Sequence, residues 1–261
     1  MRLGFLTFVF IAVVAAWPML AGAQAEELDL ELVLLADATG SIDDAEIRFQ
    51  RQGYAAALTH PQVLAAITDS LTGRIALTYV EWGDEFSQDV VVPWTIIDGE
   101  ESAGHFTKAL LAAPRKAYGY NAIGSAISKA QALIEGNDIT GLRRVIDFSA
   151  DSANNWNGLS IETARAAALD ARITINGLAI LCREADCSGR PVSYDLEAAF
   201  AERIIGGPGS FVMTVDGRNS FAQAVRRKLI LEIAFSHTHP RELTQSWADK
   251  HPRRSGAAPD G

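Results

Sequence analysis

The sequence predicts an α/β fold, a doubly wound, mostly parallel sheet with helices on both faces. Three observations lead there. Short runs rich in Val, Ile and Leu alternate with Ala-rich stretches of helical spacing from residue 28 to about residue 235. The apolar runs are nearly continuous rather than alternating, as strands covered on both sides must be. Regular alternation of the two patterns is the mark of strand–helix–strand units.

Residues 28–36 (LDLELVLLA) read as a buried strand ending at Asp37. A helix follows over 43–58, with Asp43 or Ser41 able to cap its start. Residues 74–82 (RIALTYVEW) and 89–97 (DVVVPWTII) form a strand pair around the polar turn 83–88. Pro93 lacks an N–H and pushes the second strand to a sheet edge. Helices are expected near 102–112 and 122–134, a strand at 143–149 (RRVIDFS), and a helix over 160–171. A strand at 173–180, a helix at 194–204, a strand at 210–215 and an amphipathic helix at 220–234 complete the series. Hydrophobic residues make up 48% of the 261, enough for one well-buried core spanning residues 26–235.

The two ends read differently. In residues 1–25, Arg2 precedes an apolar run, Pro18 breaks it, and Ala23-Gln24-Ala25 offers a small-residue cleavage site. This is the pattern of a signal peptide, with a retained anchor as the alternative. From Ser236 to Gly261 the composition turns polar and proline-containing, as in a flexible tail. Export implies a periplasmic or secreted location and no stable membrane insertion after cleavage. It also makes Cys182 and Cys187, in CREADC, a local disulfide pair. Their four-residue separation does not suit a redox pair, and no histidine nearby suits them to zinc.

Loss of Arg2 takes the net charge from −9 to −10. An acidic surface repels phosphates and anionic headgroups, which argues against nucleic acid as a partner.

The chemistry concentrates at Asp37-Ala38-Thr39-Gly40-Ser41, directly after the first strand. In open α/β sheets ligands sit at the carboxyl ends of strands, near the point where strand order reverses. A carboxylate followed by hydroxyls two and four residues on places three hard oxygens around one turn, which suits Mg²⁺, Mn²⁺ or Ca²⁺. Gly40 gives the backbone freedom to turn. An EF-hand is excluded, because its glycine and glutamate positions hold Ile42 and Arg48. Asp151 follows the RRVIDFSA strand and would meet Asp37 if the two strands are neighbours. A cation would relieve their repulsion. Alternatively, both carboxylates simply cap turns.

Other features have plainer readings. Gly206-Gly207-Pro208-Gly209 precedes a strand and lacks a P-loop lysine, so it reads as a tight turn. The Asn154, Asn155, Trp156 and Asn157 loop satisfies turns or contacts a ligand, and Trp82 and Trp94 read as packing residues. His237 and His239 lie in the tail without a third metal ligand nearby. No G-x-S-x-G elbow, H-E-x-x-H helix or Cys–His pair is present.

The D-x-T-G-S turn after an apolar strand resembles the metal-ion-dependent adhesion site of von Willebrand factor A domains, whose pattern is D-x-S-x-S. More closely, the chain resembles the bacterial domain-of-unknown-function family 1194. The matching stretches are LELVLLADATGSID, EIRFQRQGYAAAL, RIALTYVEW, VVVPWTII, AIGSAI, RRVIDFSADSANN, ITINGLAI, IIGGPGSFV and RRKLILEIA. The resemblance implies a von Willebrand factor A-like, Rossmann-like fold. It implies Asp37, Thr39 and Ser41 as first-loop ligands and Asp151 as the later carboxylate. The family's threonine in a Gly-Gly-Thr turn is Asn121 here, after Gly119-Tyr120, with Tyr120 able to crowd the site. Its Asp-Gly is Asp151-Ser152, and its first serine is Thr39. The resemblance further implies an adhesion-type module whose cation accepts an acidic side chain from a partner protein. Few exposed carboxylates imply weak cation affinity, on the order of 10⁻⁴–10⁻³ M. A metal-free scaffold with a decayed site is the alternative, and a hydrolase using a metal-activated water is a more distant one.

Overall fold

β1 (Glu27–Asp37) runs through the centre of the molecule and has every residue from Leu28 to Asp37 buried. Its side chains alternate between two layers, as strand pleating requires. Leu30, Leu32, Leu34 and Ala36 join one hydrophobic cluster, and Val33 and Leu35 join another. Leu28, Leu30, Leu32, Val33, Leu34 and Leu35 are fully buried. At about 1.5–3 kcal/mol for each such side chain, this strand anchors both layers.

The computed structural model describes residues 27–181 and 192–234. Residues 1–25, read above as a signal peptide, the Cys182–Cys187 pair and the tail with His237 and His239 therefore lie outside the described residues. After β1 come α1 (Asp44–Leu58), α2 (Pro61–Thr68), β2 (Ile75–Trp82), β3 (Gln88–Ile97), α3 (Glu100–Ala112) and α4 (Ile123–Glu135). Then follow β4 (Thr140–Ala150), α5 (Ile161–Asp170), β5 (Thr174–Ile180), α6 (Leu196–Arg203), β6 (Val212–Val215) and α7 (Arg218–Ala234). The sheet order is β3-β2-β1-β4-β5-β6. All neighbours are parallel except β2 and β3. α1, α2, α3 and α7 cover one face, and α4, α5 and α6 cover the other. The doubly wound α/β fold expected from the sequence is the fold observed.

Local chemistry explains the details. Asp43, rather than Ser41, caps α1, with its Oδ1 accepting from the Glu46 N–H at 2.8 Å. Pro93 does lie on an edge strand, β3, and register shifts between Leu77 and Val80 bend the adjoining pair. α2 was not anticipated from the apolar spacing, because it is only eight residues long and buries only Val63 and Ile67. Its start is nevertheless written locally, with His60 as cap and Pro61 in the first helical position. β4 begins three residues before the expected Arg143, because Thr140 and Gly141 pair with Glu27 and Leu28. Trp82 stacks on Phe148 at 5.2 Å and Trp94 donates to the Leu133 carbonyl, so both tryptophans are packing residues. The 206–209 segment is a tight turn, with Gly207 at φ +95 and Gly209 at φ +71.

A charged cluster is buried beneath α7. Lys228 Nζ lies 2.7 Å from Asp147 Oδ1 on β4 and 2.6 Å from Glu232 Oε1 on its own helix. Asn176 of β5 donates to the same glutamate oxygen at 2.9 Å. Among the described residues, no helix is long and apolar enough to cross a membrane.

Candidate metal and partner-binding face

The switch point of the sheet lies between β1 and β4, since β2 extends the sheet on one side of β1 and β4, β5 and β6 extend it on the other. Asp37 ends β1 and Asp151 immediately follows β4. Parallel pairing of the two strands brings these carboxylates to the same end of the sheet. Asp37 is fully buried and Asp151 nearly so.

The first loop is built to aim oxygens. Asp37 Oδ1 accepts from the Thr39 N–H at 2.8 Å, closing a tight turn over the strand end. Thr39 Oγ1 and Ser41 Oγ share a hydrogen bond at 3.1 Å. Asp37 Oδ2 is buried and makes no hydrogen bond. An orphaned carboxylate oxygen in the interior is costly, and such groups normally have a partner.

Electrostatics tells the same story. Burial pushes the Asp37 carboxyl up to about 8, and the charge of Asp151 adds to the rise. The Thr39 N–H on Oδ1 opposes it, with the Thr39 hydroxyl and the Asp151 backbone nearby acting in the same sense. Burial also pushes Asp151 up, to about 6, with the charge of Glu46 contributing, while Ser41 holds it down. Two carboxylates raised together form a centre deficient in positive charge.

Neighbouring loops lock this turn in place. Gly40 donates to the Gly119 carbonyl at 2.8 Å. Gly119 has φ +103, and a Cβ there would come within 2.5 Å of Asp84, so the contact requires glycine. Arg115 Nη2 donates to the carbonyls of Ala38 at 2.9 Å and Thr39 at 3.2 Å. Its Nη1 binds Asp44 at 2.9 Å. Asn121 sits just before α4, is buried, and accepts from the Trp156 N–H on its backbone carbonyl at 2.7 Å. Tyr120 is exposed to solvent and is not packed down between the loops.

Asp37, Thr39, Ser41 and Asp151 are thus brought together, with Asn121 on the adjoining loop. The donor set of two carboxylates and two hydroxyls, with one carboxylate oxygen unpartnered, fits a hard divalent cation. Among the described residues, no three His, Cys, Asp or Glu side chains converge as a metal cluster. Neither described histidine belongs to the site, His60 capping α2 and His105 lying on α3. The asparagine loop mostly satisfies turns, Asn155 accepting from Gly124 N–H at the start of α4 and donating to the carbonyls of Asn157 and Leu159. Glu46 and Arg115 join the site only in the folded structure. Glu46 carried a legible signal, an acid three residues after a capping aspartate, while nothing local marks Arg115.

A family model described as "Protein of unknown function (DUF1194)" matches residues 27–237. The chain belongs to the DUF1194 family. Solved structures place this DUF1194 protein among von Willebrand factor A-like folds. Proximal thread matrix protein 1 from the mussel byssus, with a zinc-occupied MIDAS motif, superposes with a TM-score of 0.59 at 13% identity. That match covers 80% of this chain and 48% of the mussel protein. The pilus adhesin SpaC from Lactobacillus rhamnosus GG gives 0.55 at 11% identity, over 79% of this chain and 31% of the adhesin. A von Willebrand factor type A structure from Catenulispora acidiphila gives 0.52 at 14% identity, over 79% and 43%. The DUF1194 chain therefore spans less than half the length of each of these structures. No curated protein matches the chain by sequence.

Proposed function

We propose that this DUF1194 protein is an exported protein-binding module, not an enzyme. It engages its partner through the loops at the carboxyl end of the sheet, with a divalent cation held by Asp37, Thr39, Ser41, Asn121 and Asp151. The observation that carries this reading is the buried, unpartnered Asp37 Oδ2 beside Asp151, with the Thr39 and Ser41 hydroxyls on the same turn. A bound Mg²⁺, Mn²⁺ or Ca²⁺ would neutralise the pair and leave a position for an acidic side chain from the partner. The zinc-occupied motif of the mussel protein and the adhesin role in the name of SpaC support the reading by likeness of fold. Residues 1–25 act in it as a cleaved signal peptide, and Cys182 and Cys187 form a disulfide in the oxidising compartment beyond.

A metal-free interaction scaffold is the second reading. It is favoured by Asn121 and Ser152, which stand where the family pattern has a threonine and a glycine, Ser152 Oγ being taken up by the Asn154 N–H at 3.1 Å.

The deciding experiment is the melting temperature in EDTA, then with Mg²⁺, Mn²⁺ or Ca²⁺ added. A ligand that binds only the folded state stabilises it by about 2.7 kcal/mol at one hundred times its dissociation constant. A shift that vanishes in Asp37→Ala, with the domain still folded, supports the cation site. No shift at millimolar ion supports the scaffold. Metal-stimulated turnover on ester, phosphate or peptide substrates would overturn both in favour of a hydrolase.

A further inference from the structure

Among the described residues, the exposed aromatic side chains are Phe86, Tyr118, Tyr120 and Trp156, at 92, 52, 73 and 70% exposure. All four lie on three loops at the carboxyl end of the sheet, the end that carries the Asp37–Asp151 pair. The loops are laced into one platform. Asp84 N–H donates to the Tyr118 carbonyl at 2.8 Å, and Tyr118 N–H donates to Ser87 Oγ at 3.0 Å. Trp156 N–H donates to the Asn121 carbonyl, and Asn157 Nδ2 returns to Asp84 Oδ2 at 3.2 Å. A Cβ on Gly83 would sit 2.3 Å from the Tyr118 carbonyl oxygen, so the backbones touch directly. Arg115, which grips the first metal loop, also lies 4.4 Å from the centre of the Tyr118 ring.

Aromatic rings held exposed on a fixed backbone are unfavourable in water and effective as binding anchors, because little ordering remains to be done on association. We propose that these four rings form the rim of the partner site and select a peptide segment in which a carboxylate is flanked by apolar or aromatic side chains. The proposal deepens the reading of this face as the binding face and rests on it.

Charge decides the occupant. Lys116 is exposed on the same loop as Tyr118 and Tyr120 and, with the cation proposed at Asp37 and Asp151, meets a single incoming carboxylate, whereas exposed Glu85 beside Phe86 and exposed Asp43 and Asp44 beside the first loop disfavour a strongly acidic segment. A second copy of the chain or an anionic membrane would set negative charge against a protein of net charge −9. A sugar would use the rings but leave Lys116 unanswered.

The test is selection of a random linear peptide library displayed on phage against the full chain in Mg²⁺. The enriched peptides are then measured as labelled synthetic probes by fluorescence anisotropy. The expected consensus carries one Asp or Glu with aromatic or aliphatic neighbours. Trp156→Ala and Phe86→Ala are each expected to weaken the probe at least about tenfold without lowering the melting temperature, because both side chains are exposed. Replacing the probe's Asp or Glu by Asn or Gln should weaken it as much. Selection of basic, sugar-mimicking or no defined sequences overturns the proposal. So does unchanged affinity in both ring variants, and if Asp37→Ala still abolishes binding the cation reading survives alone. Loss of binding in the ring variants with no effect of EDTA or Asp37→Ala keeps the rim and removes the cation.

Discussion

Asp37 and Asp151, carried on neighbouring parallel strands, face each other so closely that the charge of Asp151 helps lift the buried Asp37 carboxyl to about 8. Either a proton or a cation can answer that excess of negative charge, and the two compete.

Stability without metal should therefore depend on pH in a defined direction. A carboxyl raised in the folded state holds its proton more tightly there than in the unfolded chain. Its stabilisation is complete below the ordinary value of 3.8 and is lost as pH rises through about 8. Melting temperature in EDTA is expected to fall between about pH 4 and about pH 8. Glu232, raised to about 7 mainly by burial, acts in the same direction, so Asp37→Asn should flatten the slope only in part. A flat profile in the unaltered protein would remove the basis for this prediction.

Arg115 should act on the site through the loop it holds. Arg115→Ala leaves the Ala38 and Thr39 carbonyls without its two donors, at a cost of about 1–3 kcal/mol. A smaller cation-induced rise in melting temperature should accompany that loss. Arg115→Lys should not restore it, because one ammonium cannot reproduce the fork that also reaches Asp44. Full rescue by lysine would reduce Arg115 to a surface charge.

Lys228 is expected to be indispensable to the fold rather than to binding. Lys228→Met keeps most of the side-chain bulk but leaves Asp147 and Glu232 buried without their cation, costing about 3–5 kcal/mol in urea unfolding. Adding Glu232→Gln should recover part of the loss, since one of the two carboxylates is then neutral. Equal stability of the single and double variants would show that the cluster does not act as a unit.

The ease of reading the strands has a physical source. β1, β2, most of β5 and the second half of β4 from Val145 are covered on both faces, so apolar residues dominate them, and Asp37 stands out where the β1 run stops. α2 is not legible in the sequence, because a short helix with only Val63 and Ile67 buried leaves too little periodic signal. Asp37, Thr39 and Ser41 were legible because they share one turn. Asp151 was legible only on the condition that its strand lies beside the first, which the pairing of Leu30 with Arg143 through Ala36 with Ser149 fulfils.

Strand–helix alternation, the edge position of the Pro93 strand and the oxygen-rich turn are written along the chain, because they depend on burial and on residues a few positions apart. The strand order, the orphaned Asp37 Oδ2, the grip of Arg115 on Ala38 and the gathering of Phe86, Tyr118, Tyr120 and Trp156 at one end of the sheet emerge on folding. Those relationships join groups far apart in the chain. Their energies arise only when packing of the two faces of the sheet brings the loops together, so no local pattern records them.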